Sequence, residues 1–258
     1  MMTRYEAWLN KKSLSAIDPA IYIRDIAYEA PRFMITASDK PKGNGQRVTR
    51  CRAQSTSVTI SIEIRERDVT RRNEICQRVQ AWAAKGGKLT TNDRRGQQLN
   101  VICENPPAVS SALKWTQVLP MTFTAYEQPF WEDEHPRKAV LEGTNDKRTL
   151  YAPGNGAQTR VEVQVENKSS GAINALTLKA GGTTFEFAGL GLAAGATLNI
   201  DHDEMGLLRI RVGEESKMHC RTAASDDELM IETGAHSEVS AAAGGTVKAT
   251  FKARGLYT

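Results

Sequence analysis

The run Asp201-His202-Asp203-Glu204 is the densest set of potential metal ligands in the chain, and a carboxylate-rich turn of this kind can hold a hard cation through oxygen. It lacks the ligand order of a helix-flanked calcium loop, however. It lies between Leu198-Asn199-Ile200 and Met205-Gly206, the setting of a solvated hairpin turn. His219 and Cys220 are adjacent, which on a strand sends them to opposite faces and denies them a shared ion. His135 and His236 sit among loop residues and are expected to face water. Cys51, Cys76, Cys103 and Cys220 show no CxxC pairing and no histidine at ligand spacing, so free, mostly buried thiols are expected. Nucleophilic catalysis needs a base within reach of the nucleophile, and no G-x-S-x-G, H-E-x-x-H, P-loop or G-x-G-x-x-G signature supplies one. Asp and Glu number 30, yet nothing singles out one pair for acid–base work. The sequence therefore predicts no catalytic residue, no cofactor, no metal and no enzymatic activity.

Phosphate contact is the other chemistry on offer. Arg24, Arg32, Arg47, Arg50, Arg52, Arg65, Arg67, Arg71, Arg72, Arg78, Arg94 and Arg95 crowd the first part of the chain. They alternate with acids over several elements, without a recognition helix or an RNP aromatic pattern, which reads as an Arg-rich interface or solvated surface. Sugar binding by the second part is disfavoured, because it contains no Trp and its Phe185, Phe187 and Phe251 alternate as core residues do, although Tyr151 and Tyr257 remain as candidates for exposed rings.

Length and composition frame these readings. The 258 residues, 40% hydrophobic and 25% charged, suit a globular chain of two domains at roughly 150 residues each, and disfavour a disordered, collagen-like or membrane-spanning one. Residues 1–150 hold 24 basic and 17 acidic side chains and all four Trp, whereas the remainder holds 10 and 13, with 14 of the 20 Gly. Two differently built domains follow, divided within 132–150, where Trp131–Pro136 and Glu142–Lys147 read as a crossing segment. The N-terminus MMTRYEAWLNKK has no apolar core of the length a secretory signal needs, so folding in the cytoplasm without a membrane anchor is expected.

The elements that must position any site are mainly β. Val58, Ile60, Ile62 and Ile64 alternate with polar residues, the period of two of a half-buried strand at Ser57–Ile64. Ile21–Ala30, Arg32–Thr36 and Arg47–Arg52 read as further strands, with an exposed loop at Lys40–Gly45. Ile75, Val79 and Ala83 mark an amphipathic helix over Val69–Ala84, with Arg71, Arg72 and Arg78 off its apolar stripe, Asp68 as N-cap and Gly86-Gly87 as the stop. Lys88–Thr91 and Gln97–Cys103 form a hairpin, and Trp115–Glu127 a last strand in which Pro120 marks an edge or bulge. From Arg160 short alternating strands recur between turn residues, the pattern of a sandwich or jelly roll.

This succession, from the loop at Gly45-Gln46-Arg47 through Ser57–Ile64, the helix with Trp82, the hairpin Leu89–Gln97 and Trp115–Ala125 closing on Tyr126, Pro129, Phe130 and Trp131, resembles the N-terminal domain of the distal tail proteins of long, non-contractile-tailed bacteriophages and prophages. A glycine-rich β-sandwich at this distance is similar to their galectin-like or jelly-roll C-terminal domain. The resemblance implies an α+β N-terminal domain at 1–135 with antiparallel sheets and one helix, and a β-sandwich at 136–258. It implies a virion structural protein at the distal end of the tail, made and assembled in the host cytoplasm. Six copies would form the baseplate hub, a ring joining the tail tube to tail-tip, tail-associated and receptor-binding proteins and leaving a channel for DNA. The compact C-terminal domain, without Trp or a long insertion, fits a hub for other proteins better than a receptor-binding arm. A ring needs two different patches that meet head to tail, and interspersed Arg and acids suit register-specific pairing. The candidate interface is the loop 38–47 with Arg47, and the helix with Arg71, Arg72 and Arg78. The alternative readings are a related tail component, such as a tube or tail-completion protein, against which the second sandwich argues, and a carbohydrate-binding or adhesion module of a tail or cell-surface protein.

Overall fold

The computed structural model describes residues 5–39, 46–108, 116–156, 158–203 and 206–258, and at 50, 51, 116 and 117 the backbone alone. The chain divides into two compact units, residues 1–131 with Thr258, and residues 132–257. Both are built on antiparallel sheets, as the alternating patterns predict.

The first unit contains β1 (Ala7–Leu9), β2 (Lys12–Ser13), β3 (Ile21–Tyr28), β4 (Arg32–Asp39), β5 (Gln46–Arg65), α1 (Val69–Ala83), β6 (Gly87–Thr91), β7 (Gln97–Asn105) and β8 (Thr116–Ala125), and β9 (Trp131–Asp133) lies at the division. The sheet order is β2-β1-β6-β7-β8-β5-β3, with β4 on the first half of β5. Register sets Val58 opposite Phe123, Ile60 opposite Met121 and Ile62 opposite Leu119, all buried. Each such Ile contributes about 2 kcal/mol by leaving water. The helix covers this face: the Trp82 ring meets Phe123 edge-on at 5.9 Å, and its Nε1 donates to the Lys12 carbonyl at 2.9 Å. Asp68 caps α1 by accepting from the Thr70 and Arg71 N–H groups. Beyond the helix Gly86 takes φ 55°, and the Val101 carbonyl lies 2.9 Å from where a Cβ would stand, so only glycine fits this turn.

Two sequence readings of this unit change, and one holds. Arg72 is 2% exposed and lies with Ile75, Cys76, Val79 and Trp82 on the buried face rather than off it. Position 72 is three and four residues before 75 and 76, so helical geometry places it on the apolar stripe whatever its charge. Arg47–Arg52 and Ser57–Ile64 are parts of one strand of 20 residues. Pro120 marks an edge as expected: β8 lies between β7 and β5, but among the described residues the β7 pairing stops at Thr122, so the strand is a local edge at the proline. Trp115 and the loop residues 40–45 lie outside the described residues.

The second unit contains β10 (Arg137–Tyr151), β11 (Gln158–Asn167), β12 (Leu176–Ala180), β13 (Thr183–Phe187), β14 (Thr197–His202), β15 (Leu208–Val212), β16 (Glu215–Ser216), a 3-10 turn at Met218–Cys220, β17 (Met230–Glu232), β18 (His236–Ala253) and β19 (Leu256–Tyr257). The sheet runs β13-β12-β18-β11-β14-β15-β16, with β10 along β18 and β17 on β11. Strand β18 organises the unit: residues 239–243 pair with β12 and residues 247–253 with β11, the hand-over falling at Gly244-Gly245. That corner folds the sheet around one core in which Val163, Phe185, Phe187, Ile200, Ile210 and Phe251 meet. Glu142–Lys147, expected as a crossing segment, is the middle of β10 and pairs with β18. Its polarity reflects a strand with little to bury.

Candidate subunit-interface surfaces

Strand β4 and residues 46–56 of β5 form a two-stranded arm. Every residue of β4 is exposed, including Phe33 at 55%, Met34 at 52% and Ile35 at 62%, and Val48 on β5 is 58% exposed. Two register shifts place an extra residue in β5, Gln54 and Thr49, and each is held by its side chain: Gln54 Nε2 lies 3.3 Å from Met34 Sδ, and Thr49 Oγ1 donates to the Thr36 carbonyl at 3.0 Å. Such bulges raise the twist of a ribbon and re-aim its side chains. Phe33 and Ile35 share one face, Met34 and Thr36 the other, and beside Met34, Arg52 and Tyr126 a depression of about 530 Å³ opens at the arm's base. Tyr126 donates its hydroxyl to Glu104; that bond pushes the Tyr126 phenol up and holds the Glu104 carboxyl below its ordinary range. Arg47 is exposed and opposite Ser38 near the arm's outer end; the tip of the expected 38–47 loop, 40–45, lies outside the described residues.

The helix presents a second surface. Arg71, Glu74, Gln77, Arg78 and Ala81 line a shallow groove of about 760 Å³ together with Asp18. Arg71 Nε pairs with Glu66 Oε2 at 3.2 Å, while Arg78 reaches Asp18 Oδ2 at 2.8 Å and the Ile17 carbonyl at 3.1 Å. Burial pushes the Asp18 carboxyl up, and the Ala20 N–H and the Arg78 guanidinium outweigh it, so the group sits below its ordinary value. Arg72 is apart from both: its Nη1 reaches inward to the Glu66 carbonyl at 3.4 Å. Of the three helix arginines, Arg71 and Arg78 are presented outward and Arg72 is not.

Sequence reading assigned no role to a third surface. Opposite the core, β5 and β8 pair Ser57 with Thr124 and Thr59 with Thr122, their hydroxyl oxygens 3.4 Å apart in each pair; Thr124 is buried, and the other three are half-buried. Ser61 extends this hydroxyl face until Glu63, buried between Arg24 at 3.5 Å and Arg65 at 3.0 Å, closes it. The signal lies in the sequence: up to Ser61 the polar residues of the alternating strand are Ser and Thr, and only Glu63 is charged.

In the second unit the expected turn 201–204 is built from ion pairs and backbone bonds. Asp201 Oδ1 accepts from Arg209 Nε at 2.8 Å, and Asp203 Oδ1 accepts from the Leu207 N–H at 2.9 Å. Glu204 lies outside the described residues. Burial lowers the His202 imidazole below its ordinary value, with Arg160 adding to the effect and Glu228 opposing it. Cys76 and Cys220 are buried and Cys103 half-buried, all as thiols.

No protein-family model and no curated protein matches this chain. Solved structures do. The Dit protein of phage SPP1, described as a paradigm of the hub adsorption apparatus in phages infecting Gram-positive bacteria, is similar at a TM-score of 0.73 and 9% identity, over 98% of this chain and 99% of that one. A chain of the phage P2 baseplate in its activated conformation with Ca is similar at 0.51 and 9% identity, over 99% of this chain and 98% of that one. At such identity the likeness is one of fold, and at that level the resemblance drawn from the sequence holds: this chain has the fold of the SPP1 Dit hub protein.

Proposed function

We propose that this chain is a structural, non-enzymatic distal tail protein, the baseplate hub of a long, non-contractile-tailed phage or prophage. The observation that carries the reading is the likeness to the SPP1 hub protein over essentially the full length of both chains. Six copies close into a ring at the end of the tail tube, and the second units hold tail-tip or receptor-binding proteins. The arm supports the ring: a ribbon with Phe33, Met34, Ile35 and Val48 in the open needs a partner surface, and a neighbouring copy supplies one head to tail. The hydroxyl face of β5 and β8 suits a channel wall. It offers DNA phosphates no Arg or Lys from Ser57 to Ser61, so a duplex passes without being held. The carbohydrate-binding alternative finds little support, since Phe185, Phe187 and Phe251 are all in the core.

The test is the solution mass over a concentration series, with negative-stain imaging of the largest species. A six-fold ring with an open centre is the expected result. A monomer at every concentration that also ignores added tail tube protein overturns the reading.

A further inference from the structure

Strand β10 is an edge of 15 residues: among the described residues β18 is the one strand paired with it. A long open edge offers a row of backbone donors and acceptors to any second strand. The row is interrupted at its middle. Between Gly143, opposite Val247, and Asn145, opposite Ala242, the strand turns its corner, and there Asp146 Oδ2 accepts from the Glu142 N–H at 3.2 Å while Oδ1 accepts from the Lys147 N–H at 2.8 Å. Those two N–H groups therefore point away from β18. By the two-residue alternation of an antiparallel ladder, Lys138 and Val140 on one side and Thr149 and Tyr151 on the other point away with them.

These six positions are self-complementary. An antiparallel pairing of β10 with the same strand of another copy, about a two-fold axis between Thr144 and Asn145, sets 142 against 147, 140 against 149 and 138 against 151. Each of the six meets another of the six, and Glu142, which in the single copy pairs with Lys248 at 3.2 Å, meets Lys147, which pairs with Glu238 at 3.0 Å, with opposite charge. The Asp146 carboxylate, with Arg148 Nε 3.6 Å from its Oδ2, occupies the two N–H donors nearest the axis and stands where the second strand's carbonyl oxygens would come.

We propose that Asp146 guards the β10 edge, keeping it from pairing with the β10 of a second copy. The guard divides one long edge into two short ones, and the inference does not depend on the ring. In the full chain, Asp146→Ala is expected to add a concentration-dependent association above the wild-type mass, seen by light scattering. Asp227→Ala, which removes the same charge from an exposed site away from the edge, does not. Amide exchange at Glu142 and Lys147 speeds up at least tenfold in dilute Asp146→Ala and slows again as the protein associates. Adding Val140→Pro, which removes an outward donor and spares the β18 ladder, abolishes the extra association. Should Asp146→Ala not fold, Asp146→Asn, which keeps the shape but loses the charge and one acceptor, is run through the same series. Variants that fold and keep the wild-type mass at every concentration overturn the proposal, as does an association that survives Val140→Pro. A merely structural staple would alter stability and exchange without either mass effect.

Discussion

Arg78 Nη2 lies 2.8 Å from Asp18 Oδ2, and the two partners are unequally buried: half of the Arg78 side chain is exposed and 7% of that of Asp18. The pair ties the outer face of α1 to the segment before β3, where Asp18 also accepts from the Ala20 N–H at 2.9 Å. Substitution at Arg78 therefore acts on the fold before it acts on any interface. Arg78→Ala leaves a carboxylate buried with one partner fewer, a cost of about 1–3 kcal/mol that chemical denaturation at neutral pH reads directly.

The pH dependence of that difference has a definite sign. The Asp18 carboxyl is held below its ordinary 3.8, so its contribution to stability is fully present above the unfolded value and is lost as pH falls through the lower folded value. The gap between wild type and Arg78→Ala is expected to be constant above about pH 5 and to narrow below 3.8. A gap that is unchanged at acid pH would mean that the cost comes from packing of the Arg78 stem.

Arg72 gives the opposite pattern among the helix arginines. It is 2% exposed and reaches the Glu66 carbonyl from inside, so Arg72→Glu puts a carboxylate where a cation is accommodated, at a cost of about 3–5 kcal/mol. Arg72→Met keeps the volume and the apolar stem and is expected to fold. Circular dichroism and denaturation of the two variants separate charge from volume, and neither variant reports on assembly.

Legibility in the sequence followed burial. Val58, Ile60, Ile62 and Ile64 face one core and write their period plainly, and Asp68 announces the helix start because a side chain must meet its first N–H groups. Strand β4, the first half of β5 and the middle of β10 are open on both sides and have no inside to record, so a 20-residue strand was read as two and an edge strand as a linker. Arg72 departs from the expectation because its charge points to the polar face while its position on the helix puts it on the apolar one. The arm's apolar residues are hard to read for the same reason: with both faces of the ribbon open, Phe33, Met34, Ile35 and Val48 follow no periodic pattern.

The arm separates folding from assembly. Phe33→Ser with Ile35→Ser removes apolar side chains that are 55% and 62% exposed, so thermal stability of the single chain is expected to stay within about 0.5 kcal/mol. The same pair removes one face of the ribbon that the proposed ring needs covered. The mass distribution is expected to fall to the monomer while circular dichroism is unchanged. Normal assembly by a well-folded double variant would exclude this face of the arm from the interface.

The hydroxyl face provides the sharpest test of a channel. Thr59 and Thr122 are cross-strand partners with hydroxyls 3.4 Å apart near the middle of the stretch in which β5 and β8 pair, and both side chains are half-buried. Thr59→Arg turns this neutral position cationic once per copy. If the face lines the channel, the ring still forms, because the change lies away from subunit contacts, and it now holds duplex DNA with an affinity that falls steeply as salt rises. Thr59→Glu is expected to leave the ring assembled and unable to retain DNA, which removes bulk as the cause. Loss of the ring in both variants would instead place the face between subunits. A ring that forms with Thr59→Arg and still ignores DNA would place it on the outside, so mass, imaging and DNA retention together decide which way this side of the sheet faces.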